Sequence, residues 1–460
     1  MLSFTPANNT FTATSARMFK LALPITIGQL AIFGMSVTDI IIAGRLSTND
    51  LAAVTLGSTV FNLSIMLVIG IILGNGPIIG QLFSAGKTRA LKEQFQNCLW
   101  LSLPLGLLCS LFIGTGIVLL PQLDSPAEIT NIAIRYLFPM LGSAFLLPYI
   151  MTFRTTFESM GQARTAMVFN LAGFAINIPL DYILVMGDWG MPALGGAGCG
   201  WATFIVSLLI VGGEALYARS ARTLRAYQLL NFKQAFDGER IKETLRLGLP
   251  IGGAILAEGG FFLLIPLLIA HLGAVTVSGH SVAISFDWMM FMIPMGISQA
   301  ISILIAHELG RHQAYQAQVM CTTGLILTAA IALCQGAFVL LFREQIAALF
   351  TPDTAVQKLA ASLLVYAAIF RVFDAINIGG NGALRGYKDT RITLILAFVG
   401  YWLIGFPLSY SLALSDLWGA PLGVEGFWIG MVIALIITAS LTTTRLYFTA
   451  RNAVLKSRQA

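Results

Sequence analysis

Charge is what this sequence has least of. Lys, Arg, Asp and Glu make up 10% of 460 residues, against roughly 25% in a water-soluble domain, so an ordinary soluble globule is excluded. Histidine is rarer still, with four in the chain. The five cysteines (Cys98, Cys109, Cys199, Cys321 and Cys334) are scattered through apolar segments with no CxxC or Cys/His spacing. Neither a disulfide framework nor a zinc site is indicated. Motifs for chemistry are missing as well. Gly80–Thr88, GQLFSAGKT, has one residue too many between its glycines for a P-loop and follows a helical pattern rather than a strand. His307 and Glu308 with His312 are spaced one residue too widely for HExxH. Gly195–Gly200, GGAGCG, lacks the GxGxxG spacing and reads as a place of close helix approach or a bend. No nucleophile, base and oxyanion set is present, so enzyme function is not supported.

What the chain has instead is hydrocarbon. It is 57% hydrophobic, with a mean hydropathy of +0.82. Residues 1–17 are polar, and the apolar run behind them is too long for a signal peptide, so it reads as the first span. Twelve spans of about 20 residues or more can be placed, near 18–43, 51–80, 94–119, 131–153, 165–186, 194–217, 243–270, 277–306, 316–340, 358–383, 392–414 and 422–444. An even number puts both termini on one side. Of the 27 Lys and Arg residues, only Arg45, Arg343 and Lys358 fall in outer segments if the termini are inside, and Arg135 and Arg371 lie within spans. That asymmetry places both termini in the cytoplasm. It also explains a net charge of +6 without a nucleic acid partner.

The halves repeat. Leu21–Pro24 recurs as Leu247–Pro250, Pro179–Tyr182 as Pro407–Tyr410, and Leu194, Gly195 and Gly198 as Leu422, Gly423 and Gly426. Six spans per repeat restore the starting side, so the repeats are parallel and related by a pseudo-twofold axis along the membrane normal. The expected fold is an all-α integral membrane protein of two six-helix lobes. Residues 1–17 form a cytoplasmic tail, 18–217 the N-lobe, 218–242 a cytoplasmic inter-lobe loop, 243–448 the C-lobe and 449–460 a second cytoplasmic tail.

The few polar groups inside the spans carry the functional reading, because a charged side chain at the bilayer centre costs about 2.5–3.5 kcal/mol or more. Phe169–Val185, FNLAGFAINIPLDYILV, is apolar enough for lipid yet holds Asn177 and, one helical turn on, Asp181. Asp39 lies near the outer end of span 1, behind Thr26, Gln29 and Ser36, and Thr203 is early in span 6. All four groups belong to the outer half of the first lobe. Two carboxylates sharing such a pocket repel each other and lose solvation, which suits uptake of a proton or a sodium ion. Helix bridging alone is the bland alternative. The second lobe holds Glu258, Asp287, Arg371 and Asp374, with Arg371 and Asp374 three residues apart and able to pair. Surplus acid there suits a cationic substrate or a second ion. Pro24, on the same helix as Asp39, marks a bending point.

NIPLDYILV, GMPALGGAGCGWAT (Gly190–Thr203), FREQIAALF (Phe342–Phe350) and ALRGYKDT (Ala383–Thr390) resemble the NorM branch of the MATE (multidrug and toxic compound extrusion) family, over about 18–448. The resemblance implies the MATE fold and export of small cationic amphipathic drugs in exchange for inward H+ or Na+, with no cofactor beyond that ion. It matches Asp39 to the family's first-helix acid. It also matches Asn177, Asp181 and Thr203 to a first-lobe cation site, a possible Na+ site with Asp39, and Glu258 and Asp374 to second-lobe acids. Many NorM proteins read NIPLN where this chain has Asp181, which makes this site the more acidic form. Arg371 and Asp287 are unusual for the family, and a guanidinium there competes with sodium at Asp374. A monomer in the bacterial inner membrane, in contact with membrane lipid, is expected. The alternative is a lipid-linked-precursor flippase, which needs a cationic lining that this acidic set does not offer.

Overall fold

The structure is a computed structural model and describes residues 11–122, 126–232 and 236–459. Twelve helices among these residues are long and apolar enough to cross a membrane: α1 (Phe11–Leu46), α2 (Thr48–Ser84), α3 (Thr88–Gln122), α4 (Ala127–Ser159), α5 (Ala163–Met186), α6 (Ala197–Ser220), α7 (Gly238–Leu272), α8 (Ala274–Gly310), α9 (Ala314–Phe350), α10 (Thr354–Gly386), α11 (Arg391–Leu414) and α12 (Val424–Gln459). Ten contain the expected span whole, while α6 and α12 start three and two residues after the expected 194 and 422. Most run further, because the bilayer limits the apolar stretch and not the helix. The supposed C-terminal tail is thus the last turns of α12 as far as Gln459. The inter-lobe loop shrinks likewise, since α6 persists to Ser220 and a four-residue helix, Arg222–Arg225, follows. Of the N-terminal tail, residues 1–10 lie outside the described residues.

The chain divides into two compact units, and their boundaries correct the simple halves. One holds Ile27–Gly252; the other holds α1 up to Thr26 together with everything from Gly253 on. The cuts through α1 and α7 fall at equivalent places, each two residues after a proline, Pro24 or Pro250. A proline removes one intrahelical hydrogen bond, so the helix is weakest where its packing partners change.

The repeat extends to backbone detail. Gly195 and Gly423 both have left-handed φ, 61° and 59°, where a side chain is strained. Just before them, Leu194 N–H donates to the Leu184 carbonyl at 3.0 Å and Leu422 N–H to the Leu412 carbonyl at 3.1 Å. The same turn therefore joins α5 to α6 and α11 to α12. The turn after α2 recurs after α8, with Gly86 at φ 70° and His312 at φ 60°. The sequences resembling a P-loop and HExxH are the last residues of α2 and α8 with the turns that follow them. The turn after α4, at Gly161, recurs after α10 at Lys388.

Within the first unit, Phe95, Phe153 and Phe157 head an aromatic core with Leu224 and Leu229, and Ile150, Val206 and Ile210 form a smaller cluster between α4 and α6. In the second unit a larger core gathers Phe261, Ile265, Phe286, Phe370, Phe427, Trp428 and Met431. One segment there departs from α geometry. Phe398–Gly405 in α11 is π-helical, whereas the equivalent stretch of α5 is α-helical throughout.

Candidate functional site

The polar groups of the first unit converge at one end of their helices. Asp39 is seven residues before the end of α1, Asp181 five before the end of α5, and Cys199 and Thr203 lie in the first two turns of α6. Helices α5 and α6 are antiparallel neighbours, so the end of one and the start of the other coincide. The start of α6 is pinned by Asp50, whose Oδ1 accepts from Gly196 N–H at 2.7 Å while Ser47 donates to its Oδ2 at 2.6 Å. Glycine then permits the close approach expected of Gly195–Gly200. A Cβ at Gly198 would lie 2.8 Å from the Leu184 backbone, and one at Gly200 would lie 2.4 Å from the Tyr136 carbonyl oxygen.

Asp39, Asn177 and Asp181 are all buried there, at 4%, 0% and 0% exposure. Thr203 Oγ1 donates to Asp39 Oδ2 at 3.3 Å, and the Cys199 thiol faces the Asp39 carbonyl at 3.7 Å. A carboxylate oxygen of Asp39, one of Asp181 and the Cys199 sulfur lie within 4.8 Å of one another. Tyr136 of α4 stands within electrostatic range of both acids, its hydroxyl shared with Ser58 at 3.2 Å. Within this cluster much hydrogen-bonding capacity is unmatched. Asp39 Oδ1, both oxygens of Asp181 and both amide atoms of Asn177 make no hydrogen bond of good geometry, although the Asp181 and Asn177 side chains both lie beside the Asp39 carboxylate. Buried polar groups are ordinarily paired, and these converging, unmatched oxygens are available as ligands to a cation. The four residues singled out in the sequence for this lobe do come together. Cys199 and Tyr136 join them unannounced, because groups on three or four helices leave no spacing signature.

The second unit is arranged differently. Arg371 spans two carboxylates: its Nε donates to Asp287 Oδ1 at 3.1 Å, its Nη1 to Asp374 Oδ2 at 2.6 Å, and its Nη2 engages both the Asp287 carboxylate and the Asp287 carbonyl, the latter at 2.9 Å. The expected pairing with Asp374 is present, and Asp287 is a second partner from 84 positions away. Glu258 accepts from the Tyr401 hydroxyl at 3.1 Å. The arginine therefore answers two of the three acids and a tyrosine the third. Asp374 Oδ1 is left without a hydrogen-bond partner.

Sequence reasoning also passed over Glu214 on α6. It is buried, neither carboxylate oxygen has a hydrogen bond, and the internal Arg154–Glu158 pair on α4, bonded at 2.9 Å, is within electrostatic range. An acid inside an apolar run was the available signal.

The MatE family pattern matches this chain twice, over residues 24–183 and 250–411. The two matches begin at the paired prolines Pro24 and Pro250. The chain belongs to the MatE family. This MatE chain is 36% identical over 442 residues to the multidrug resistance protein PmpM of Pseudomonas aeruginosa, a match covering 95% of this chain and 91% of that one. Its fold is shared with an outward-facing multidrug resistance MATE family transporter at TM-score 0.86 and 21% identity, over 96% of both chains. It is shared too with the Vibrio cholerae MATE transporter VcmN in the bent form, at TM-score 0.81 and 17% identity, over 97% of this chain and 99% of that one. Twelve spanning helices and these relatives make the MatE chain a multi-pass membrane transporter and not an enzyme. Each copy of the family pattern covers one constellation: Asp39, Asn177 and Asp181 in the first, and Glu258, Asp287, Arg371, Asp374 and Tyr401 in the second.

Proposed function

We propose that this chain is a multidrug efflux antiporter of the bacterial inner membrane, with both termini cytoplasmic. It exports small cationic amphipathic drugs in exchange for inward H+ or Na+ and acts as a monomer. One observation carries the reading. Two buried carboxylates and a buried amide converge with five polar atoms unmatched, in a helix bundle where such groups are costly. A proton neutralises one of the pair, or a sodium ion takes the oxygens of Asp39, Asn177, Asp181 and Thr203, all of them hard donors suited to such an ion. Either ion supplies the drive: one charge crossing 100 mV yields about 2.3 kcal/mol.

Uptake of the ion from outside changes the charge at Asp39, and α1 responds by bending at Pro24. Two facts support that step. The change of packing unit in α1 falls two residues after this proline, and VcmN, a relative in fold, is described in a bent form. The excess of acid over base among Glu258, Asp287, Asp374 and Arg371 favours a cationic cargo. A flippase for pyrophosphate-linked lipids is disfavoured, because the guanidinium of Arg371 is already held by two carboxylates.

The test is ethidium efflux in everted vesicles with pH and sodium gradients imposed separately. Asp39→Asn abolishes efflux under both gradients while the protein remains folded and membrane-inserted. Near-normal transport by that variant removes Asp39 from the coupling step and overturns the reading.

A further inference from the structure

The first-unit cluster contains one ligand that neither a proton nor a sodium ion uses. Cys199 Sγ sits with oxygens of Asp39 and Asp181, all three within 4.8 Å of one another, and all three residues are buried. Oxygen ligands alone describe a site for hard monovalent ions. Two carboxylates and a thiol describe something else, a mixed oxygen and sulfur set that selects borderline or soft divalent ions over magnesium and calcium. Among the described residues Cys98, Cys109 and Cys321 belong to no such group; Cys98 faces Thr152, and Cys109 donates to the Ser64 carbonyl.

We propose that Asp39, Asp181 and Cys199 form a binding site for a thiophilic divalent cation, zinc or cadmium, which competes with the coupling ion. The pocket meets the geometric need. Zinc binds thiolate at about 2.3 Å and carboxylate at about 2.0–2.2 Å, so its ligand atoms lie within about 4 Å of each other. Side-chain rotation of less than 1 Å closes the present spacing to that value (~0.8 Å from the bond lengths above). Asp39 Oδ1 and both Asp181 oxygens are unmatched, so a guest ion displaces only the contact of the Cys199 thiol with the Asp39 carbonyl, and Asn177 Oδ1, also unmatched, offers a fourth ligand. Binding breaks the Cys199 S–H bond and forms a sulfur–metal bond. The proton leaves to solvent and no electron is transferred. Because the thiol proton leaves, the pocket gains one net positive charge, as it does with a proton or a sodium ion, but the three helices are tied through ligands that do not release as readily as a proton. The consequence for transport rests on the coupling role proposed above: external zinc or cadmium arrests efflux.

The experiment uses the purified full chain with the exposed Cys334 replaced by serine. Cadmium is titrated while the ultraviolet thiolate-to-cadmium band is followed. A saturable band with one equivalent of cadmium is expected, lost in Cys199→Ser and in Cys199→Ala, weakened in Asp181→Asn and unaffected by excess magnesium. A band that persists in both Cys199 variants, or that never forms, overturns the proposal. In everted vesicles, whose lumen faces the outer side of the protein, the readout for each variant is the ratio of ethidium transport with and without cadmium loaded in the lumen. The ratio falls for the chain with Cys199 and stays at one for Cys199→Ser. Equal cadmium sensitivity in the two overturns the blocking role. The titration involves no drug and no gradient, so its failure and the failure of the antiport reading are separate results.

Discussion

The first unit and the second share a backbone plan and differ in what they bury at the same positions. Taking the repeat offsets helix by helix, Asp39 corresponds to Ile265, Asn177 to Gly405, Asp181 to Ser409, Cys199 to Phe427 and Thr203 to Met431. Ile265, Phe427 and Met431 belong to the closed aromatic and aliphatic core of the second unit. A cradle of unmatched oxygens in one repeat is therefore oily packing in the other. The second unit has its charges elsewhere: Glu258 lies two turns before Ile265, Tyr401 one turn before Gly405, and Arg371 ties Asp287 to Asp374. The π-helical turn of α11 occurs in this unit alone among the two equivalents. Duplication has kept the helix ends and turns while separating two electrostatic tasks. Unpaired acid in the first unit suits an ion that comes and goes, and neutralised acid in the second suits a stable framework that retains a net negative field.

The sharpest way to test that division is to remove charge from each unit and compare stability. Arg371→Met leaves Asp287 and Asp374 buried without their cation, which costs about 3–5 kcal/mol. Thermal unfolding in detergent, followed by tryptophan fluorescence, should show a large fall in midpoint, recovered in part when Asp287→Asn and Asp374→Asn are added. Asp39→Asn in the first unit removes a carboxylate that no cation holds, so its midpoint should hold or rise while efflux is lost. A stability loss of the same size for both variants would erase the distinction. The reverse substitution is smaller in effect. Ser409→Asp puts into the second unit the acid its repeat carries, but into an apolar core. The cost is about 2.5–3.5 kcal/mol, aggravated because α12 approaches closely there: a Cβ on Gly430 would be 2.2 Å from Ser409 Oγ. An unchanged midpoint for that variant would mean that the second-unit position holds water and acid as readily as the first.

The membrane class, the twelve helices and the duplication were legible in the sequence, because each rests on a local property: twenty apolar residues in a row, or the same tetrapeptide twice. The first-lobe acids were legible for a similar reason, since Asp181 and Asn177 interrupt an apolar run at helical spacing. What escaped was whatever depends on two helices meeting. Asp287 reaches Arg371 across 84 positions, Tyr401 reaches Glu258 across 143, and Cys199 joins two aspartates from other helices. The lobe boundaries escaped for another reason. Counting six spans per half divides the chain at the loop, whereas packing divides α1 and α7 internally, after Pro24 and Pro250.

Tyr401 gives the finest probe of the comparison. Its ring packs tilted against Phe261 and edge-on against Phe262, with centroids 5.7 and 6.2 Å away, and its hydroxyl donates to Glu258 at 3.1 Å. Tyr401→Phe keeps the ring packing and deletes only that donor, so the expected loss is about 1 kcal/mol, the net worth of one hydrogen bond to a half-buried acceptor. If the hydroxyl exists to hold the Glu258 carboxylate, the loss should shrink when Glu258→Ala is already present, and a double-mutant cycle on unfolding midpoints measures the difference. Additive losses would mean that the bond contributes nothing. Glu258 would then stand as free in the second unit as Asp181 does in the first, and the neutralised framework would be reduced to the arginine and its two aspartates.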